Sequence, residues 1–186
     1  MEEIGKSMLN KISSYNIFNN FFPGIVFCYM IKLFTNYELD IGSTWENLFI
    51  YYFWGLVVSR NGSVIIEELL LKIKIKEKKS KVQEKYIQRA PYKEYSIASE
   101  KDSFIKVLNE TNNVYRTMIS VFVCVLLVKI YEIVSVYLVE LFGQMGNISE
   151  ILVLVIGIIL FIMSYKKQTD YIRKRVQNYI VEKSEK

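Results

Sequence analysis

The chain has 186 residues, enough for one domain, and joins 52% apolar content to 23% charge and a net charge of +5. Apolar and charged residues on that scale must be segregated along the chain, the pattern of a membrane protein. There is no histidine, which excludes Ser-His-Asp and Cys-His nucleophiles, histidine-containing zinc sites and histidine-dependent ribonucleases; no Gly-Lys-Ser/Thr phosphate loop occurs either, so no enzymatic activity, catalytic residue, metal or cofactor is expected.

Residues 1–16 are expected to form an amphipathic arm. Ile4, Met8, Leu9 and Ile12 recur at helical spacing, with Lys6 and Lys11 turned away from them. No small-residue cleavage site follows the first apolar stretch, so that stretch is expected to remain as a span. Four apolar stretches follow in order, Ile17 to Phe34, Leu48 to Ile66, Met118 to Phe142 and Ile148 to Tyr165, each near the ~20 residues that cross a bilayer at ~1.5 Å per residue. Pro23-Gly24 interrupts the first stretch, and a kink there needs neighbouring helices to satisfy the freed carbonyl. That favours a packed bundle over a lone anchor.

The loops Thr35 to Asn47 and Gly143 to Ser149 hold no Lys or Arg. Residues 72–116 hold twelve, the tail from Lys166 holds seven, and the N-terminal arm holds two. The positive-inside rule then puts both termini and the central segment in the cytoplasm, with the two short loops outside. From Ser63 to Ala90 no Gly or Pro occurs, so the second span is expected to run on as a helix through Lys72 to Lys85; the period-two run Lys72-Ile73-Lys74-Ile75-Lys76 keeps a strand open as the alternative. Ala90-Pro91-Tyr92 turns the chain. Beyond it Ser99 or Asp102 can cap a helix that meets no Gly or Pro before Gly143, so cytoplasmic segment and third span form one rod. After Tyr165, Ile172, Val176 and Ile180 continue an apolar stripe that packs on the stalk or lies on headgroups.

The predicted fold is therefore all-α: an integral-membrane four-helix bundle whose helices extend into a cytoplasmic helical stalk. Its parts are the arm 1–16, spans one and two in 17–71, the cytoplasmic helical hairpin 72–116, spans three and four in 117–165, and the amphipathic tail 166–186. Cys28 and Cys124 fall within spans and are expected to pack as small apolar groups.

An ionisable group at mid-bilayer costs at least ~2.5 kcal/mol on insertion scales, so each needs a partner or water. Lys32 sits near the outer end of its span, where its stem can snorkel. Arg60 cannot shed its proton; it either snorkels to the inner headgroups or takes part in gating, with Asn61, Ser63, Glu67 and Glu68 as candidate partners. Lys129 and Glu132, at i and i+3, either bridge each other or line a polar interior. Arg60, Lys129 and Glu132 are the candidate pore or gating residues. On the cytoplasmic side, Lys72, Lys74, Lys76, Lys79, Tyr86 and Arg89 form a basic run with an aromatic in it, suited to anionic lipid or to a nucleotide. Asn113, Tyr115 and Arg116 add amide, stacking and guanidinium groups at the start of the third span, which serve either a solvated juncture or a ligand.

Three stretches, Ser14-Tyr15-Asn16-Ile17-Phe18-Asn19-Asn20-Phe21-Phe22-Pro23-Gly24, Gly55-Leu56-Val57-Val58-Ser59-Arg60-Asn61-Gly62-Ser63 and Asn112-Asn113-Val114-Tyr115-Arg116-Thr117, resemble small four-span membrane effectors of bacterial anti-phage defence operons. The Hailong type of membrane subunit is most similar and the Kiwa type is an alternative. The resemblance implies a homo-oligomeric ion channel, with a tetramer as one candidate assembly, kept shut until infection. It also implies a nucleotidyltransferase-like enzyme as partner, whose oligodeoxyadenylate product opens the channel. A non-conducting membrane anchor or sensor that recruits a cytoplasmic protein is the competing expectation from the residues themselves.

Overall fold

The structure, a computed structural model, describes residues 17–40, 42–76, 84–86, 89–142 and 146–184. The N-terminal arm 1–16 and Lys79 lie outside the described residues. A π-helical turn Ile17–Phe21 leads into α1, Phe22–Phe34. Next come α2, Thr44–Asn61, a second π turn Gly62–Ile66, and the short α3, Glu67–Leu70. Strands β1, Lys74–Lys76, and β2, Glu84–Tyr86, precede α4, Tyr92–Lys101, then α5, Phe104–Phe142, and α6, Gly146–Ser184. Among the described residues three helical stretches are long and apolar enough to cross a membrane, Thr44–Leu70, Phe104–Tyr137 and Ile151–Gln177.

Two glycines set the closest helix contact. A Cβ on Gly24 would lie 1.7 Å from the carbonyl oxygen of Tyr51, and one on Gly55 would lie 1.7 Å from that of Asn20. The backbones of the first helix and α2 therefore touch, an approach that only residues without a side chain permit. Pro23 and Gly24 are both buried at this crossing, and the wider π turn stands just ahead of them. Above the crossing, Phe27, Cys28 and Ile31 meet Val58 of α2 and Val121 and Val125 of α5 in one apolar core; the rings of Phe27 and Trp54 lie 5.5 Å apart. Cys28 thus packs as a small apolar group, and both cysteines are free thiols.

Ser43 starts α2 with a capping box: Glu46 Oε2 accepts from the Ser43 amide at 2.8 Å and from its hydroxyl at 3.1 Å. Asp102 Oδ1 accepts from the Phe104 amide at 2.9 Å and starts α5. From there α5 runs unbroken for 39 residues, about 58 Å at ~1.5 Å per residue. This is the expected rod that continues from the polar segment into the third apolar stretch. Fourth in order, α6 is also 39 residues long and begins at Gly146, three residues before the predicted loop ends. Among the described residues it packs on α2 and the second π turn, burying Leu160 and Ser164, and it leaves Ile151 to Ile159 exposed.

The sequence-based helix through Lys72 to Lys85 is not what forms at the ends of that run. The second helix ends at Leu70, and β1 pairs antiparallel with β2 in the register Lys74 with Tyr86, Ile75 with Lys85 and Lys76 with Glu84. The period-two alternation of lysine with the β-branched Ile73 and Ile75 suits an extended segment, and the register sets Lys76 opposite Glu84. The tail stripe also departs from the preferred stalk packing. Ile172 and Val176 are exposed, and the tail reaches α4 through polar contacts, Arg175 Nη1 to Ser96 Oγ and Arg175 Nη2 to Glu100 Oε1 at 3.7 Å.

Candidate functional site

At the basic end of the helices one carboxylate gathers three cations. Glu67 Oε2 lies 3.0 Å from Arg116 Nη1 of α5 and 2.8 Å from Lys167 Nζ of α6, while Oε1 lies 2.7 Å from Arg89 Nη2 in the segment before α4. Lys167 also donates to the Ser63 carbonyl inside the second π turn. The hub is mostly shielded, with side-chain exposures of 19% for Glu67, 15% for Arg116 and 21% for Lys167. Shielding strengthens each attraction and raises the cost of leaving any member unpaired. Glu68, 3.8 Å from Arg89, is the second carboxylate nearby. Arg116 Nε is buried and has no partner among the described residues.

Local sequence explains how Glu67 reaches the hub. The Glu67 amide donates to the Gly62 carbonyl, an i to i+5 bond that inserts one residue into the helix and turns its phase. Gly62 permits α5 to come close here: a Cβ on it would meet the Arg116 carbonyl oxygen at 3.3 Å and Thr117 Cα at 3.4 Å. Thr117 and Ser120 are fully buried on the facing side of α5. Asn61 fastens the same seam, donating through Nδ2 to Ser120 Oγ at 2.9 Å and to Cys124 Sγ at 3.2 Å. Interhelical hydrogen bonds of this kind in apolar surroundings contribute about 0.6–2 kcal/mol. Asn61→Leu should therefore lower the unfolding midpoint in detergent by an amount equivalent to about 1–2 kcal/mol; an unchanged midpoint would remove this seam from the account.

Beside the hub, α4 and the first turns of α5 form a shallow, open cleft lined by Tyr95, Ile105, Leu108, Asn109, Thr111, Asn112 and Tyr115. Two phenol rings offer stacking surfaces, and two amides offer both donors and acceptors. Thr111 already spends its hydroxyl on the Val107 carbonyl at 2.9 Å.

A second polar layer closes the opposite end. Glu132 Oε2 takes Lys129 Nζ at 2.8 Å, and Oε1 accepts from the Asn36 amide at 3.0 Å and from its side-chain Nδ2. Lys32 pairs with Glu38, and Tyr51 Oη donates to Asp40 Oδ1 at 3.1 Å. Arg116 and Glu132 are sixteen positions apart on one helix, about 24 Å along its axis. The two layers thus bracket a belt nearly as tall as a bilayer's hydrocarbon core, ~30 Å.

The predicted site residues divide three ways. Arg89, Arg116 and Tyr115 sit at the hub and cleft, and Asn113 lies on the same stretch of α5, where its carbonyl accepts from the Thr117 hydroxyl. Lys72 is exposed in the turn after α3; Lys74, Lys76 and Tyr86 lie on β1 and β2. Lys129 and Glu132 do pair, and the Glu132 carboxylate also accepts from Asn36 in the loop after α1. Arg60 makes no hydrogen bond or ion pair among the described residues; of its expected partners, Asn61 is bonded to Ser120, and Glu67 to Arg116, Lys167 and Arg89. Sequence reasoning missed Glu67 as an acceptor for distant cations, and it missed Lys167 altogether. The available signal was Glu67 itself, a carboxylate at the edge of an apolar stretch four residues after Ser63.

No family model matches the chain, and no curated protein or solved structure shows significant similarity to it.

Proposed function

We propose that the chain is a homo-oligomeric membrane effector, of the kind encoded in bacterial anti-phage defence operons, whose ion permeability is opened from the cytoplasmic side by an anionic nucleotide-type ligand. In this reading all four apolar stretches cross the inner membrane, both termini are cytoplasmic, and neighbouring copies cover the outward apolar faces of α5 and α6. One protomer encloses too little space for a conduit, so a pore would lie on the symmetry axis of the assembly.

The supporting observation is the continuity of α5. One unbroken helix carries Tyr115 of the cleft and Arg116 near its base and, sixteen residues further on, Glu132, which is fastened to the loop after α1. A ligand that moves the base of such a helix moves its far end as well. Nucleobase stacking on Tyr115 together with phosphate attraction to the neighbouring cations would supply the differential binding that shifts a closed state toward an open one. The polymer implied by the resemblance, an oligodeoxyadenylate made by a nucleotidyltransferase-like partner, has both groups.

The test is ion flux from proteoliposomes with and without oligodeoxyadenylates. Flux should appear only with ligand, and Tyr115→Ala should raise the concentration needed for half-maximal flux by about 5- to 150-fold, the equivalent of ~1–3 kcal/mol of stacking. Absence of flux with every oligonucleotide sinks the channel. A second reading, a non-conducting anchor that recruits a cytoplasmic protein, draws support from the exposed Ile97, Phe104, Val107 and Leu108 on α4 and the start of α5. Under it, a Lys129→Gln/Glu132→Gln double variant keeps full activity and removal of residues 72–103 abolishes partner binding.

A further inference from the structure

We infer that Arg89, Arg116 and Lys167 form a phosphate site that Glu67 occupies as a tethered stand-in, so that a phosphate group and the Glu67 carboxylate compete for the same three cations. The inference rests on the proposed function for its consequence, gating, but its geometry stands separately. Three cations from three parts of the chain converge on two oxygens of one carboxylate at 2.7, 2.8 and 3.0 Å. Together with Glu68 the local sum is still one positive charge in excess. Arg116 Nε adds a buried donor with no partner among the described residues; a carboxylate has two oxygens, whereas a phosphate offers three or four to the same donors. Guanidinium groups are matched to such an anion in shape.

Exchange of the anion would also rearrange the chain. Glu67 rides on the helix that follows the second π turn, Arg116 on α5, Lys167 on α6 and Arg89 ahead of α4, so the one carboxylate ties the second helix to all three other elements at once. A phosphate in its place holds α5, α6 and the Arg89 segment together and frees Glu67 from them, leaving the Lys167 bond to the Ser63 carbonyl as the remaining tie to the second helix. Phosphate can come from a soluble nucleotide or from an anionic lipid headgroup, since the hub lies at the edge of the apolar belt.

Binding of inorganic pyrophosphate, measured by calorimetry on the full chain in phosphatidylcholine nanodiscs at fixed ionic strength, tests this directly. Glu67→Gln removes the competing charge and should bind pyrophosphate roughly tenfold or more tightly than the wild type, and Arg116→Gln should bind it too weakly to detect. Should Glu67→Gln fail to fold, Glu67→Ser likewise removes the carboxylate while keeping all three cations, and should still bind more tightly than the wild type. If no folded variant lacking the Glu67 carboxylate gains affinity, the stand-in role is wrong. Repeating the titration in nanodiscs that contain phosphatidylglycerol separates the sources: loss of the gain there assigns the site to lipid, and its persistence assigns it to a soluble phosphate. Because the readout is binding, these results stand whether or not flux is ever seen. Ligand-gated flux with no gain on Glu67→Gln would instead retain the channel and discard the stand-in.

Discussion

Replacing Gly55 by alanine should separate the first helix from α2 and cost about 3 kcal/mol or more, one of the larger single-site losses available in this chain. The added Cβ would sit 1.7 Å from the carbonyl oxygen of Asn20 and 2.6 Å from its carbon. Those atoms are backbone, so no rotamer change relieves the clash; the helix itself must withdraw. Overpacking a core ordinarily costs ~1–3 kcal/mol, and here the neighbour cannot yield. Withdrawal would also thin the contact of Phe27 with Trp54 and of Ile31 with Val58. Gly24→Ala should behave alike, since its Cβ would meet the Tyr51 carbonyl at the same distance. Gly157→Ala supplies the control, because nothing lies within 4 Å of a Cβ there, and alanine is the better helix former by ~1 kcal/mol. Thermal unfolding in detergent, with a disulfide placed between α1 and α2 as a second readout, should show a large drop for the first two variants and none for the third. A Gly55→Ala variant as stable as the wild type would mean that the two backbones are not in contact.

The long apolar helices were readable from the sequence, because an apolar run of sufficient length forms a helix whatever its neighbours do. Three helices long and apolar enough to cross a membrane are present among the described residues, where four spans were expected, and the start of α5 was legible in Asp102, whose side chain is a local cap. Pro23-Gly24 likewise announced close packing, although not the partner, since Gly55 sits on another element with no sequence link to it. The basic run after Leu70 is where local signals conflicted. Its freedom from Gly and Pro spoke for helix and its alternation for strand, and the alternation is what β1 and β2 follow.

Glu67 shows why the hub was hidden. Which face a helix turns to its neighbour depends on its phase, and the π turn at Gly62 shifts that phase in a way no 3.6-residue count reveals. The same limit hid the second partner of Glu132. Its spacing from Lys129 predicted the ion pair, whereas its bond to Asn36 joins residues 96 positions apart and depends on how far α5 has slid along α1.

That bond leads to the second large effect. Glu132→Ala should loosen the loop after α1 and lower the unfolding midpoint, because it strips the Asn36 amide of its acceptor and leaves Lys129 without its counter-ion. Glu132→Gln separates these two consequences. Its amide oxygen still accepts from Asn36 while the charge is gone, so roughly half of the loss should return if the carboxylate acts chiefly as a fastener. Lys129→Gln/Glu132→Gln removes the stranded ammonium as well, and its midpoint should return close to that of the wild type. Flux measured on the same double variant then reports on the pair's part in conduction. If the charges face a conduit, cation-to-anion selectivity should shift with stability nearly intact; if they only fasten α5 to the loop, selectivity should stay as it is while Glu132→Ala alone disturbs gating. An alanine variant with wild-type stability and wild-type flux would refute the fastening role, and with it the idea that movement at the base of α5 is felt at the far end.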